Sequence, residues 1–323
     1  MRFRPQWFFA IGMLLIASIA AQAQTETYPS RPITVVVPFP AGGLTDVPAR
    51  LAATMLQEKL GQGVVIENRT GGSGVVGAAY AARAVPDGYT LFANSLADTQ
   101  NLHYLPVNYN PVEDFAQIGW IVDGPPLVVI ANAKLPYKTL KELLADAAAN
   151  PGKFSFGTSG PASSPGLSLA QLNAMAKTQI TAVPYRGSAA AVTDVLSGRV
   201  DVMLDTATSG FPRIANGQFR ALAVTSPARF PLLPEAPTVA ETLPGVHYMS
   251  WLGMATAPRT PKPIVERLNA ELRAALALPD VQAKLKEGGN IATPTTPEEM
   301  RDQIAGEIAN WKQLIETNNI KVQ

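Results

Sequence analysis

Strand-patterned and helix-patterned stretches alternate along almost the whole of this chain, and that alternation limits its fold more than any single motif does. "ITVVV" (33–37) reads as a buried strand. In the following "LTDVPARLAATMLQEKLG", Val47, Leu51, Met55 and Leu60 fall near one helical face, Thr45 stands at the cap position and Gly61 ends the run. "GVVIEN" (63–68) is a second strand, "GGSGVVGAAYAARAV" turns into a second helix, and "PDGYTLFAN" supplies a turn and a third strand. The pattern resumes with the strand "PLVVIANA" (126–133) and the helix "TLKELLADAAANPG", where Thr139 and Glu142 have capping-box spacing. "FSFGTSG" enters a turn from a strand, "ITAVPYRGSAAAVTDVLSGRVDVMLD" reads as strand, turn, helix and strand, and "FRALAVTS" is a further strand. Such alternation predicts α/β layers with mostly parallel sheets. Two amphipathic helices close the chain. In the first, Ile264, Leu268 and Leu272 share a face; in the second, Thr296 caps, Pro297 follows, and Met300, Ile304, Ile308, Trp311 and Ile315 form a stripe suited to a core.

Four strand–helix junctions share an unusual smallness: "PAGGLTD" (40–46), "ANSLADT" (93–99), "GTSGPASS" (157–164) and "YRGSAA" (185–190). Each presents backbone N–H groups and small hydroxyls where a helix begins. The first N–H groups of a helix lack intrahelical partners and the dipole is positive there, so such starts bind anions. In open α/β sheets, ligands sit beyond the carboxyl ends of strands, where these junctions fall. One such turn is a weak signal. Four of them, in both halves of the chain, point to a cleft for a small anion.

The N-terminus bears on where such a cleft would work. Arg2 and Arg4 precede an apolar run to Ala21, and Ala21-Gln22-Ala23 is an A-x-A site, the three-part pattern of a secretory signal. The run is short for a bilayer span of ~20 residues, so residues 1–23 are expected to be cleaved, leaving about 300 residues, enough for two domains. Losing Arg2 and Arg4 leaves 24 basic against 25 acidic residues, which gives no basic stripe for nucleic acid. There is no cysteine, so disulfides, thiol catalysis and iron–sulfur clusters are out, and the two histidines, His103 and His247, start no metal-type spacing. No cofactor or metal is expected.

Two catalytic readings are weaker. Gly72-Ser73-Gly74-Val75-Val76-Gly77 matches G-x-G-x-x-G, but the carboxylate a dinucleotide fold wants about 20 residues on is missing near Phe92 and Ala93. The turn is expected to serve close packing. Ser159 and Ser164 could suggest a serine hydrolase, yet neither sits in G-x-S-x-G and no nearby histidine offers a base.

"YPSRPITVVVPFPAGGLTDVPARLAA", "VVIENRTGGSGVVGA", "PDGYTL", "VPYRGSAAAVTDVLSGRVDVMLD", "RALAVTS" and "LPEAPTVAE" together resemble the Bug-type receptors, the extracytoplasmic solute-binding proteins of tripartite tricarboxylate transporters. The resemblance spans nearly the whole chain after the signal and keeps the motif order. It implies a type II periplasmic-binding (Venus-flytrap) fold, two α/β lobes joined by two hinge strands, closing on a carboxylate held by amides, hydroxyls and waters. It implies that Phe39, Pro40, Ala41, Gly42, Gly43, Thr45 and Asp46 form a first-lobe ligand loop, joined by Ser95. Thr158, Ser159, Gly160, Ser163 and Ser164 would form the second-lobe loop, Tyr185, Gly187 and Ser188 a further cleft turn, and Asp205 would end a strand at the cleft. Asp46 could instead serve the helix dipole, Arg186 could be a solvated charge, and Asp205 could bond turn amides or receive a ligand amino group. Three departures from the family pattern stand out: Gly166 where a histidine is common, Thr70 where a proline is usual, and a shortened stretch at 101–107.

The chain is thus expected to be a periplasmic, monomeric, non-enzymatic receptor for a small organic acid, serving the membrane permease subunits of a tripartite transporter. The alternatives are a receptor feeding a two-component sensor kinase and a periplasmic serine hydrolase. The expected lobes are 24–123 with 249–323, and 124–248.

Overall fold

β1 (Ile33–Val37) is buried along nearly its whole length, as its unbroken β-branched run requires. It pairs in parallel with β2 (Val64–Asn68) on one side and β3 (Thr90–Ser95) on the other. The computed structural model describes residues 28–320 apart from residues 44, 159–162, 186–187 and 288–289, so the expected signal at 1–23 lies outside the described residues.

Helix α1 (Asp46–Leu60) connects β1 to β2 and ends at Gly61, which is left-handed (φ 65°) as a helix-terminating glycine should be. Its buried face is set by Ala49, Ala52, Ala53 and Leu56, whereas Val47 is exposed, so the inward face is rotated from the one the sequence suggested. The alanines let the helix approach closely, and Met55 and Leu60 remain inward at the margins of that face. α2 (Val75–Ala82) leads to β3, and α3 (Leu96–Tyr104) follows it.

β4 (Ala116–Asn132) is longer than the "PLVVIANA" signal implied. Its first part, to Pro126, pairs antiparallel with β9 (Met249–Thr256); from Leu127 on it pairs antiparallel with β7 (Val202–Thr206) and β8 (Phe219–Val224). β5 (Ser155–Thr158) pairs in parallel with β6 (Thr181–Pro184) and β7. The outer pairs are therefore parallel, as expected, but the centre is antiparallel, because β4 and β9 run against their neighbours. α4 (Leu140–Ala149), α5 (Ser164–Ala176), α6 (Ser188–Ser197), α7 (Ala207–Ala215) and the short α8 (Val239–Thr242) surround the second part of the sheet. α9 (Lys262–Leu276), α10 (Pro279–Glu287), the short β10 (Ile291–Ala292) and α11 (Pro297–Asn318) return to the first part.

Separate apolar cores follow this division. One joins β1, α1 and α9 through residues such as Val35, Leu56 and Leu268; another joins β4, α4 and β7 through Val129, Leu143 and Leu204. A third cluster, Leu96, Trp120, Trp251, Met300, Ile304 and Trp311, seats α11 on β4 and β9, which accounts for the terminal helical stripe.

Candidate ligand-binding cleft

All four small-residue turns reach one cavity of about 680 Å³ between the two parts of the sheet. The first turn contributes Phe39, Pro40, Gly43 and Thr45, and the second Ser95. The third contributes Thr158, Ser163 and Ser164, the fourth Tyr185, and Asp205 faces the cavity from the end of β7. Ala41, Gly42 and Asp46 are not part of this wall. Ser159, Gly160, Arg186 and Gly187 lie outside the described residues, as does the side chain of Ser188.

The first turn is held from behind. Gly42 has φ 77°, a conformation that a residue with a Cβ adopts only at a cost. Its N–H donates to Oδ2 of Asp46 at 2.8 Å, and Arg50 Nε donates to the same oxygen at 2.7 Å. Asn68 Nδ2 donates to Asp46 Oδ1 at 2.8 Å and to the Phe39 carbonyl at 2.9 Å. Burial works against the Asp46 charge, but the bonds from Arg50, Asn68 and Gly42 outweigh it and hold the carboxyl below its ordinary range. Asp46 is thus a strut for the turn. Thr45 sits at the cap position, but its side chain makes no capping bond; the acid one residue on ties down the turn amide instead.

The other turns are braced in their own ways. The N–H of Ser95 donates to Oδ2 of Asp98 at 2.8 Å. Burial pushes the Asp98 carboxyl up to about 7, although the bonds from Ser95 and Tyr109 oppose the rise. Ser163 Oγ accepts the N–H of Gly166 at 3.2 Å and so caps α5. The N–H of Tyr185 donates to the Thr158 carbonyl at 2.7 Å, which ties the third and fourth turns together. Asp205 Oδ1 accepts the N–H of Thr206 at 2.8 Å.

The sequence missed part of the wall. Thr70, Gly71, Ser73 and Gly74 line it, as do Ser250 and Trp251 of β9 and Gly124 of β4. The glycine-rich turn and its packing role were visible, but its place on the cleft wall was not. A Cβ on Gly77 would stand 2.9 Å from the Pro38 Cβ and 2.8 Å from the Arg69 carbonyl oxygen, and one on Gly74 would stand 3.2 Å from the Phe39 ring. Those glycines let the two turns pack together, as expected, and bring the second of them to the cleft. Trp251 gave no signal, since an aromatic residue in a buried strand reads as core.

Chemically, neutral hydroxyls and the starts of α1, α3 and α5 border the cleft, and the positive end of a helix dipole favours a bound anion. A hydrolytic reading can be followed only at Ser164, since Ser159 lies outside the described residues. Ser164 Oγ donates to Gln100 Oε1, not to a base; His103 lies against the Ile308 carbonyl and His247 is exposed.

The sequence model described as "tripartite tricarboxylate transporter family receptor" matches residues 48–320. The solved structure of the periplasmic binding protein BugD is 34% identical with a TM-score of 0.83, covering 92% of this chain and 100% of that one. Rpa4515 of R. palustris, solved with adipate, is 35% identical with a TM-score of 0.82, covering 91% of this chain and 99% of its own. MatC from Rhodopseudomonas palustris, with bound malate, is 31% identical with a TM-score of 0.81, covering 89% of this chain and 100% of its own. The architecture is accordingly the type II periplasmic-binding fold, with two α/β lobes joined by β4 and β9.

Proposed function

The chain belongs to the tripartite tricarboxylate transporter receptor family, and on that premise we propose that it captures a small organic carboxylate between its lobes and delivers it to the membrane subunits of such a transporter. The observation that carries this reading is the convergence of four small-residue turns, from both parts of the sheet, on one cavity. N–H groups fixed in advance replace the hydrogen bonds that the carboxylate loses on leaving water. Adipate and malate in the related structures agree with an acid as cargo.

In this reading the lobes are 24–123 with 249–323, and 124–248. The first boundary falls inside β4 and the second at the start of β9. Two chain crossings favour hinge closure, which buries the anion. The protein is exported, loses its signal near Ala23, works as a monomer in the periplasm and catalyses no reaction. Phe39, Pro40, Gly43, Thr45, Ser95, Thr158, Ser159, Gly160, Ser163, Ser164, Tyr185, Gly187 and Ser188 surround the ligand, and Asp205 bounds the far side. Ala41, Gly42 and Asp46 shape the first turn.

The test is a thermal-shift screen of the purified chain from Gln24 against a broad carboxylate library. Stabilisation by a subset of acids is expected. No shift with any acid overturns the reading.

A further inference from the structure

Resting on that receptor reading, we propose that the preferred ligand is a carboxylate with an apolar body and a single acid group, not a multiply charged acid. The polar groups of two aromatic side chains on the cleft wall are bonded to residues that are not part of it. Trp251 lines the cavity, yet its Nε1 donates away to Oε2 of Glu307 at 2.9 Å, and its ring stacks on Trp120 with centroids 4.1 Å apart. Tyr185 lines the cavity, yet its hydroxyl donates to Oδ2 of Asp194 at 2.7 Å. Phe39, packed beside Gly74, adds a third ring.

Aliphatic side chains continue the same surface. Leu96, Val122, Leu127 and Leu252 line the cavity from α3, β4 and β9. Neutral polar groups border the cavity at the four turns and also at Thr70, Ser73, Ser250 and Asn290, whereas the one described charge is that of an acid. Asp205 is the acid in the described wall and is 5% exposed. A second ligand carboxylate brought near it would add a like charge in a water-poor space. The cavity volume lies within the usual range for small-molecule sites and accommodates a ring.

Titration calorimetry on the purified chain with benzoate, cyclohexanecarboxylate, adipate, malate and citrate tests this. Benzoate or cyclohexanecarboxylate is expected to bind at least 100-fold more tightly than malate and citrate, and more tightly than adipate. Asp205→Asn is expected to raise the adipate-to-benzoate affinity ratio at least tenfold. If adipate, malate or citrate binds best, the ligand class is overturned while the receptor reading stands. If no acid in this panel binds but another in the broad library does, the ligand class again falls alone; if none binds in either, both fall.

Discussion

The hydroxyl of Ser164 donates to Oε1 of Gln100 at 3.0 Å, joining the first turn of α5 to α3 across the seam between the lobes. Gln100 is fully buried, and among the described residues its Nε2 has no hydrogen-bond partner. A neutral bond of this kind is worth about 1 kcal/mol. Gln100→Leu should therefore weaken ligand affinity about fivefold by favouring the open form, while leaving thermal stability unchanged or slightly raised, because it also removes an unsatisfied donor. Calorimetry and small-angle scattering read the two effects separately. Unchanged affinity would show that the bond does not help closure.

The strut role of Asp46 makes a sharper prediction. Asp46→Asn keeps the shape but removes the charge that Arg50 and the Gly42 N–H share. Charge-assisted bonds are worth about 1.5–3 kcal/mol, so ligand affinity should fall roughly 10- to 100-fold as the turn loosens. The folded-state pKa is depressed, so this support is fully present above the ordinary aspartate pKa and is lost only as pH falls through the lower folded value. The variant should show its deficit at pH 7 and progressively less of it below pH 4.

Gly124 meets Ser250 between the hinge strands. A Cβ on Gly124 would lie 2.1 Å from Ser250 Oγ and 3.2 Å from its Cβ. Gly124→Ala should destabilise the protein by about 1–3 kcal/mol through this overlap. Adding Ser250→Ala should restore more than half of the loss, since the nearest clashing atom is gone. Denaturant melts of the single and double variants decide this; no recovery would place the strain elsewhere.

Glu307 carries a pH dependence. Its carboxyl reaches inward to Trp251 Nε1 at 2.9 Å and Thr99 Oγ1 at 3.3 Å. Burial pushes it up to about 7; the bonds from Trp251 and Thr99 oppose that rise and nearby Asp123 adds to it. A raised acid binds its proton more tightly in the folded state, so its contribution is greatest below the unfolded value near 4.5 and is lost as pH rises through about 7. Relative to the parent, Glu307→Gln should gain stability as pH goes from 5 to 8, by up to about 3 kcal/mol. His103, whose pKa burial lowers, is common to both proteins and cancels in the difference. Parallel melting curves of the two proteins would settle it; a constant gap across this range would refute the assignment.

The amino-acid sequence alone determined the succession of strands and helices, the small turns between them and most helix ends. Thr139 and Thr296 cap as their spacing implies, and Gly61 terminates α1. These features rest on a few consecutive residues, through side-chain periodicity, capping and backbone freedom, so a linear reading reaches them. Tertiary structure alone decided the rest. The antiparallel course of β4 and β9 follows from where the chain crosses between lobes, which alternation does not encode. Asp46 became a strut because Asn68, 22 positions away, and Arg50 converge on it. Trp251 of β9 borders the cleft while its N–H is bonded to Glu307, 56 positions away. The sequence placed donors at helix starts; the packing of residues distant along the chain determined which of them face the same cavity, and what kind of surface completes it.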